Sequence, residues 1–228
     1  MALAQFKDLC VDAVDVPKAA AFWAQSLGLS WQLHEDGDAH VTGPTAQHTI
    51  WINHVAEPKS VKNRVHLDIY ARRIPDLEAL GSTVVQAQGG DRVWTDMADP
   101  EDGEYCAFLR EDPPADLLHG LVVDSVDPAA QADWWGRVYS AEVVQHELGY
   151  ATVQKVPGMP ILTMDFLFVP EPKTVKNRVH WDVWTDDIAA LLDAGAKVLA
   201  EPNAQTGWHV LADPEGNEFC AFRPSNPS

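Results

Sequence analysis

An α+β fold in two tandem domains follows from three observations on this 228-residue chain. First, the chain repeats itself. Val61-Lys62-Asn63-Arg64-Val65-His66 returns as Val175-Lys176-Asn177-Arg178-Val179-His180, Ala98-Asp99-Pro100-Glu101 as Ala212-Asp213-Pro214-Glu215, and Cys106-Ala107-Phe108 as Cys220-Ala221-Phe222, each pair 114 residues apart. Self-similarity at a fixed period decides architecture before any local reading, and two copies are too few for a solenoid. Second, Asp15-Val16-Pro17 and Asp127-Pro128 open helical stretches 112 residues apart, so each half contains a second repeated unit. Third, every helical stretch is followed by three strand-like runs.

In the first half a strand over 9–14 leads into a helix carrying Phe22, Trp23 and Leu27 at helical spacing, with Gly28 placed to end it. Strands follow near 30–34, 39–42 and 49–55. A second unit begins with an alternating strand over 65–70 and a short helix over 74–80 ended by Gly81. Strands near 83–86, 93–97 and 105–109 complete it. The second half repeats the order: a strand over 121–126, then Asp127 as N-cap with Pro128 at the first helical position ahead of Trp134, Trp135 and Val138. Strands near 142–147, 150–153 and 161–169 come next. The last unit reads as strand 179–184, helix 188–194, then strands 198–200, 208–211 and 219–222. The chain is therefore four βαβββ units. Arg110-Glu111-Asp112-Pro113-Pro114-Ala115 is the linker, because paired prolines and charge oppose regular structure. It divides the chain into domains 1–112 and 116–228.

Composition narrows the function classes. The formal charge of −18 repels nucleic acid and anionic membrane surfaces. No apolar run approaches the roughly 18 residues of a membrane span. Three cysteines make no disulfide framework, and with no secretory leader at the start of the sequence a reducing, cytoplasmic location is expected. A small organic molecule is the expected partner, and the sequence leaves homo-oligomer formation open.

Four βαβββ units taken in pairs resemble the vicinal-oxygen-chelate superfamily of glyoxalase I, bleomycin-resistance proteins, fosfomycin-resistance enzymes and extradiol dioxygenases. Asp-x₇-Trp/Phe at the first helix, the Val-His-x-Asp strand, and Asp-Pro-Glu-Gly-Asn before the last strand are similar to a glyoxalase-like domain. The resemblance implies that two units in each domain form a half-open curled sheet around a pocket, with helices on the convex face. Strand alternation then sorts side chains. Arg64, His66, Asp68 and Tyr70 share the cavity face with Cys106 and Phe108. Arg178, His180, Asp182 and Trp184 share the other with Cys220. Asp12 and Asp124 stand on the opening strands, and Val65, Leu67 and Ile69 turn to the helices.

The resemblance also implies, in metal-dependent members, ligands at four positions. Here the His remains as His66 and His180, but the last-strand Glu is Cys106 or Cys220. The first-strand position falls on Asp8 or Gly120, with His119 one residue out and so turned away, and the third near Asn53 or Leu167. The expectation is a metal-free protein without cofactor, weighed against a zinc set of Asp8, His66 and Cys106 with Asn53 assisting. The cysteines are read as buried small hydrophobes rather than nucleophiles. Lys62-Asn63-Arg64 is read equally as an anion grip or a structural turn. The histidines at 34, 40, 48, 54, 146 and 209 are placed on the surface. The expected ligand site is therefore Asp12, Arg64, His66, Asp68, Cys106, Asp124, Arg178, His180, Asp182, Trp184 and Cys220, with no catalytic residue assigned. Trp184 is expected to anchor the better site in the second half. The expected function is sequestration of a small organic molecule of the bleomycin-resistance type. The alternatives are a lyase or isomerase of the glyoxalase I type, and a structural module with closed pockets.

Overall fold

The computed structural model describes residues 2–204 and 206–224. The first unit is β1 (Gln5–Ala13), α1 (Val16–Leu27), β2 (Ser30–Leu33), β3 (Ala39–Thr42) and β4 (Ile50–His54). The second is β5 (Val65–Ala71), α2 (Ile74–Glu78), β6 (Thr83–Gln86), β7 (Thr95–Ala98) and β8 (Glu104–Leu109). The third is β9 (Leu118–Ser125), α3 (Pro128–Tyr139), β10 (Glu142–Gln145), β11 (Ala151–Gln154) and β12 (Thr163–Phe168). The fourth is β13 (Val179–Trp184), α4 (Ile188–Asp193), β14 (Lys197–Ala200), β15 (His209–Ala212) and β16 (Glu218–Phe222).

The long helices start where side-chain caps dictate. Asp15 accepts from Lys18 N at 3.1 Å and Asp127 from Ala130 N at 3.1 Å, satisfying orphan N–H groups of the first turn. Gly28, at φ +68°, closes α1 in the left-handed region. Further orphan groups are met from a different unit. Glu101 accepts from Val14 N and Asp15 N, and Glu215 from Val126 N and Asp127 N. The repeated Asp-Pro-Glu is thus a turn whose Glu ties one unit to the helix start of another.

The units pair differently from expectation. Strand order is β14-β15-β16-β13-β1-β4-β3-β2 in sheet 1 and β10-β11-β12-β9-β5-β8-β7-β6 in sheet 2. The first unit joins the fourth through antiparallel β1 and β13, and the second joins the third through β5 and β9. Half-open curled sheets, one to each half, are therefore not formed. Instead two open eight-stranded mixed sheets each draw one unit from each half. The physical reason is that β5 and β13 carry the same pattern, so β1 can pair with either.

The helices lie between the sheets in one shared core. Phe22 and Trp23 of α1 meet Tyr105 of β8 at 5.7 and 5.6 Å, while α1 also packs on β3 and β2. Trp135 of α3 meets Trp181 and Phe219 of sheet 1 at 4.9 and 5.1 Å, while α3 also packs on β11 and β12. Val65, Leu67, Ile69, Val179, Trp181 and Val183 all point into this core. The opposite, polar strand faces point outward. No helix among the described residues is long and apolar enough to cross a membrane.

Candidate metal and ligand site

On the outer face of sheet 2 lies an open cavity of about 840 Å³ lined from both of its units. Strand register sets its floor. Asp96 of β7 stands opposite Cys106 of β8, Cys106 opposite Asp68 of β5, Asp68 opposite Gly120 of β9, and Gly120 opposite Thr163 of β12. His66 joins this row. The ligand atoms of His66, Asp68 and Cys106 all lie within 4.8 Å of one another. His66 Nε2 is 3.3 Å from Asp68 Oδ1 and 3.5 Å from Cys106 Sγ. Among the described residues His66 Nδ1 and Asp68 Oδ1 are buried without a hydrogen-bond partner, a state that costs free energy unless something supplies the missing contact. Burial, then Asp68 and Asp96, push the Cys106 thiol far above its ordinary range. It is therefore a neutral thiol, a poor nucleophile, until a cation draws off its proton.

The surroundings are polar and aromatic. Asp96 accepts from Trp94 Nε1 at 2.8 Å and from Cys106 Sγ at 3.6 Å, and pairs with Arg92. At the far wall His146 stacks on Tyr150 with ring centroids 4.0 Å apart and bonds Thr152 Oγ1 at 2.9 Å. Thr152 donates to Asp165 at 2.6 Å, so its oxygen accepts from His146 Nε2–H.

Sheet 1 carries a second cluster, Cys10, His180 and Asp182, again with ligand atoms within 4.8 Å. Cys220 Sγ is 3.8 Å from His180 Nε2. Burial lowers His180 to about 4, with Lys176 adding to the effect, so its ring is neutral near pH 7. Burial and the adjacent Asp8 raise Asp182. Lys7 Nζ lies 2.6 Å from Asp8 Oδ2 and 3.5 Å from Asp182 Oδ2. The same ammonium sits over the rings of Phe222 and Trp184, 4.3 and 5.4 Å from their centroids. Burial works against its charge, but the carboxylates outweigh it and the lysine pKa is raised.

Lys7 and His119 occupy equivalent positions, and simple alternation misplaces both. Pairing steps from Phe6↔Val183 to Asp8↔Asp182 and from Ile69↔Leu118 to Asp68↔Gly120. Each step leaves one extra residue, a β-bulge that resets the parity of the strand. His119 therefore lines the cavity rather than turning away, stacked on Tyr70 at 4.5 Å and edge-on to Phe108 at 4.8 Å. His146 also lines the cavity instead of the open surface.

The remaining expected site residues divide. Arg64 donates to Glu171 O at 2.7 Å and Asp124 O at 2.9 Å, while Arg178 donates to Glu57 O at 2.6 Å. With the Lys62–Asp124 and Lys176–Asp12 ion pairs they line a separate cavity of about 480 Å³ at the seam between the sheets. Asp124 borders both cavities. Asp8 and His66 lie in different sheets, so the zinc set that joined them is not assembled. The cavity residues that sequence reasoning passes over include Arg92, Asp96, Thr152 and Asp165, and Trp94, which it reads as core by default, lines the cavity too. Asp96 carries a signal that could have found it, since it stands two residues from the repeated Ala98-Asp99-Pro100-Glu101 turn, on the cavity face of β7.

The metal-free expectation is overturned by the two clusters of metal-ligating side chains. Imidazole, thiol and carboxylate form a zinc-type donor set, and three donors in an open cavity leave a coordination position for substrate. The unsatisfied Asp68 Oδ1, 3.3 Å from His66 Nε2, fits that reading.

The model of a glyoxalase-like domain matches residues 8–108 and 120–222. No curated protein matches the sequence. Glyoxalase I from Zea mays superposes with a TM-score of 0.68 at 12% identity, covering 96% of this chain and 92% of that one. A putative dioxygenase from Bacillus subtilis subsp. subtilis str. 168 gives 0.65 at 12% identity, covering 98% and 86%. At such identities these likenesses show the fold. The match to both sequence halves shows more: this chain belongs to the glyoxalase-like domain family, twice over.

Proposed function

We propose that sheet 2 holds a divalent-metal-dependent lyase or isomerase of the glyoxalase type, acting on a small carbonyl compound. The observation that supports it is the three-donor cluster of His66, Asp68 and Cys106 on the floor of the 840 Å³ cavity. A divalent ion bound there supplies Lewis acidity, stabilising negative charge that develops on a substrate carbonyl oxygen. His66, Asp68 and Cys106 would hold it, Cys106 giving up its thiol proton on binding. Asp96 stands beside the cluster and would accept the proton removed from the carbon next to the carbonyl. Trp94 and Arg92 fix the carboxylate of Asp96. Phe108, Tyr150 and Trp94 would give the substrate an apolar wall.

The test combines metal content with proton exchange. Zn²⁺-loaded, desalted protein should retain one equivalent in sheet 2 and lose it in His66→Ala. In deuterated buffer it should wash out the α-protons of some member of a panel of 2-oxo and 2-hydroxy carbonyl compounds, followed by NMR. Asp96→Asn should keep the metal and slow the exchange by about 100-fold or more. Exchange that survives both a chelator and His66→Ala would sink the reading.

A further inference from the structure

We propose that Lys7 is a built-in cation that keeps the sheet 1 cluster closed to divalent metal, so that a chain with two ligand clusters takes up one ion. The proposal extends the reading of sheet 2 as the metal site. Lys7 stands on the β1 bulge, which turns it to the outer face beside Asp8. Its ammonium is held on one side by Asp8 and Asp182 and on the other by the faces of Phe222 and Trp184. Carboxylates below and aromatic faces above are what a cation needs when little water reaches it, and the Lys7 side chain is only 13% exposed.

The groups around it are those that a metal ion would use. Asp182 belongs to the cluster with Cys10 and His180, and Asp8 adds a further carboxylate. Among the described residues Asp8 Oδ1 and Asp182 Oδ1 are buried without hydrogen-bond partners. A divalent ion entering this space would meet a fixed positive charge bound to one of its own ligands, in a setting where screening is weak. It would have to share the Asp8 and Asp182 carboxylates with the ammonium, which already holds their Oδ2 atoms. Sheet 2 has no lysine at that place. His119 fills the equivalent bulge there, and an imidazole stacked on Tyr70 leaves the carboxylate of Asp68 free of an ammonium.

The test is the number of Zn²⁺ ions retained by the full chain after loading and desalting, with the affinity measured by calorimetry. Wild type should hold one equivalent. Lys7→Met should hold two, the second lost again in Lys7→Met/His180→Ala, whereas Lys7→Arg should remain at one. His66→Ala should hold none and Lys7→Met/His66→Ala one. If wild type held none but Lys7→Met held one, the lysine inference would stand and the metal reading of sheet 2 would fall. Two equivalents in wild type, or no gain in a Lys7→Met protein that melts cooperatively, would overturn the inference. Should Lys7→Met not fold, His119→Lys decides: it should cost sheet 2 its ion, and a full equivalent retained there would overturn the inference.

Discussion

The two sheets carry the same strand on one side of their seam and different strands on the other. β5 and β13 both present His and Asp two residues apart, and β8 and β16 both present Cys opposite that Asp. The opening strands differ: Lys7 and Asp8 on β1 become His119 and Gly120 on β9. Sheet 1 thus has a carboxylate on its opening strand and an ammonium that neutralises it, whereas sheet 2 has neither at those positions and opens onto a cavity. A repeated motif alone does not decide what a site can do. The strand that pairs with it does, and here that strand comes from the other half of the chain.

The largest expected effect concerns how each unit is held. Asp213 accepts from Trp135 Nε1 at 3.2 Å, from Gln131, and from Glu215 N and Asn217 N at 3.0 and 2.9 Å. Its counterpart Asp99 accepts, among the described residues, from its own turn alone, Glu101 N and Gly103 N at 2.8 Å each, and Trp23 Nε1 stays buried without a partner among them. Asp213→Ala strands three buried side-chain donors, those of Gln131, Trp135 and Asn217, and should cost about 3–5 kcal/mol in urea denaturation, against about 1–2 kcal/mol for Asp99→Ala. Similar losses would show that the turns are equivalent supports. Burial raises both carboxyls to about 6, against opposing hydrogen bonds. A folded pKa above the unfolded value near 3.8 favours folding below that pH, and the contribution is lost as pH rises through 6. Asp99→Asn should therefore flatten the pH dependence of stability between about 4 and 6.

Next comes the division of labour between His66 and His180. His66→Ala removes a ligand of the open site and should weaken Zn²⁺ binding by more than about 100-fold, since even supporting residues cost about 10–100-fold. His180→Ala should leave that affinity unchanged. Calorimetry on the two variants breaks the comparison if their effects are equal.

The elements are legible in the sequence because each announces itself locally. Asp15 and Asp127 cap, Gly28 stops, and Val65, Leu67 and Ile69 alternate with His66 and Asp68. Pairing is not legible, because β5 and β13 offer the same face to β1. The site is half legible. His66, Asp68 and Cys106 follow from alternation, but Lys7 and His119 sit on bulges that alternation does not foresee. His146 reaches the cavity from the β10–β11 hairpin, whose placement depends on β12 pairing with β9.

A smaller effect sharpens the contrast at Gly120. A Cβ built there meets Asp68 Cβ and Thr163 Oγ1 at 3.5 Å, ordinary contact distances. Gly120→Asp therefore fits and puts a carboxylate where sheet 1 has Asp8. It should bind Zn²⁺ about tenfold more tightly, about 1.4 kcal/mol. The metal-free variant should be less stable, because the new charge faces Asp68. Unchanged affinity would mean that the Asp8 position does not reach the metal in either sheet.

The smallest effect separates Trp184 from Tyr70, the aromatic pair at equivalent positions. The sequence points to Trp184 as a ligand anchor, but its ring carries Lys7. Trp184→Ala removes one of two aromatic faces from that ammonium while Phe222 remains, so the loss is about 0.5–1 kcal/mol for the cation–π contact plus whatever packing goes with it. Tyr70 instead supports His119 at the edge of the open cavity. Tyr70→Ala should leave Lys7 in place and loosen the imidazole, weakening any ligand found for sheet 2 by a few-fold. Thermal melts and ligand titration of both variants decide the matter. Should Trp184→Ala abolish ligand binding while Tyr70→Ala leaves it intact, the ligand sits in sheet 1 and displaces the lysine. The functional difference between the sheets would then be the reverse of the one drawn from Lys7.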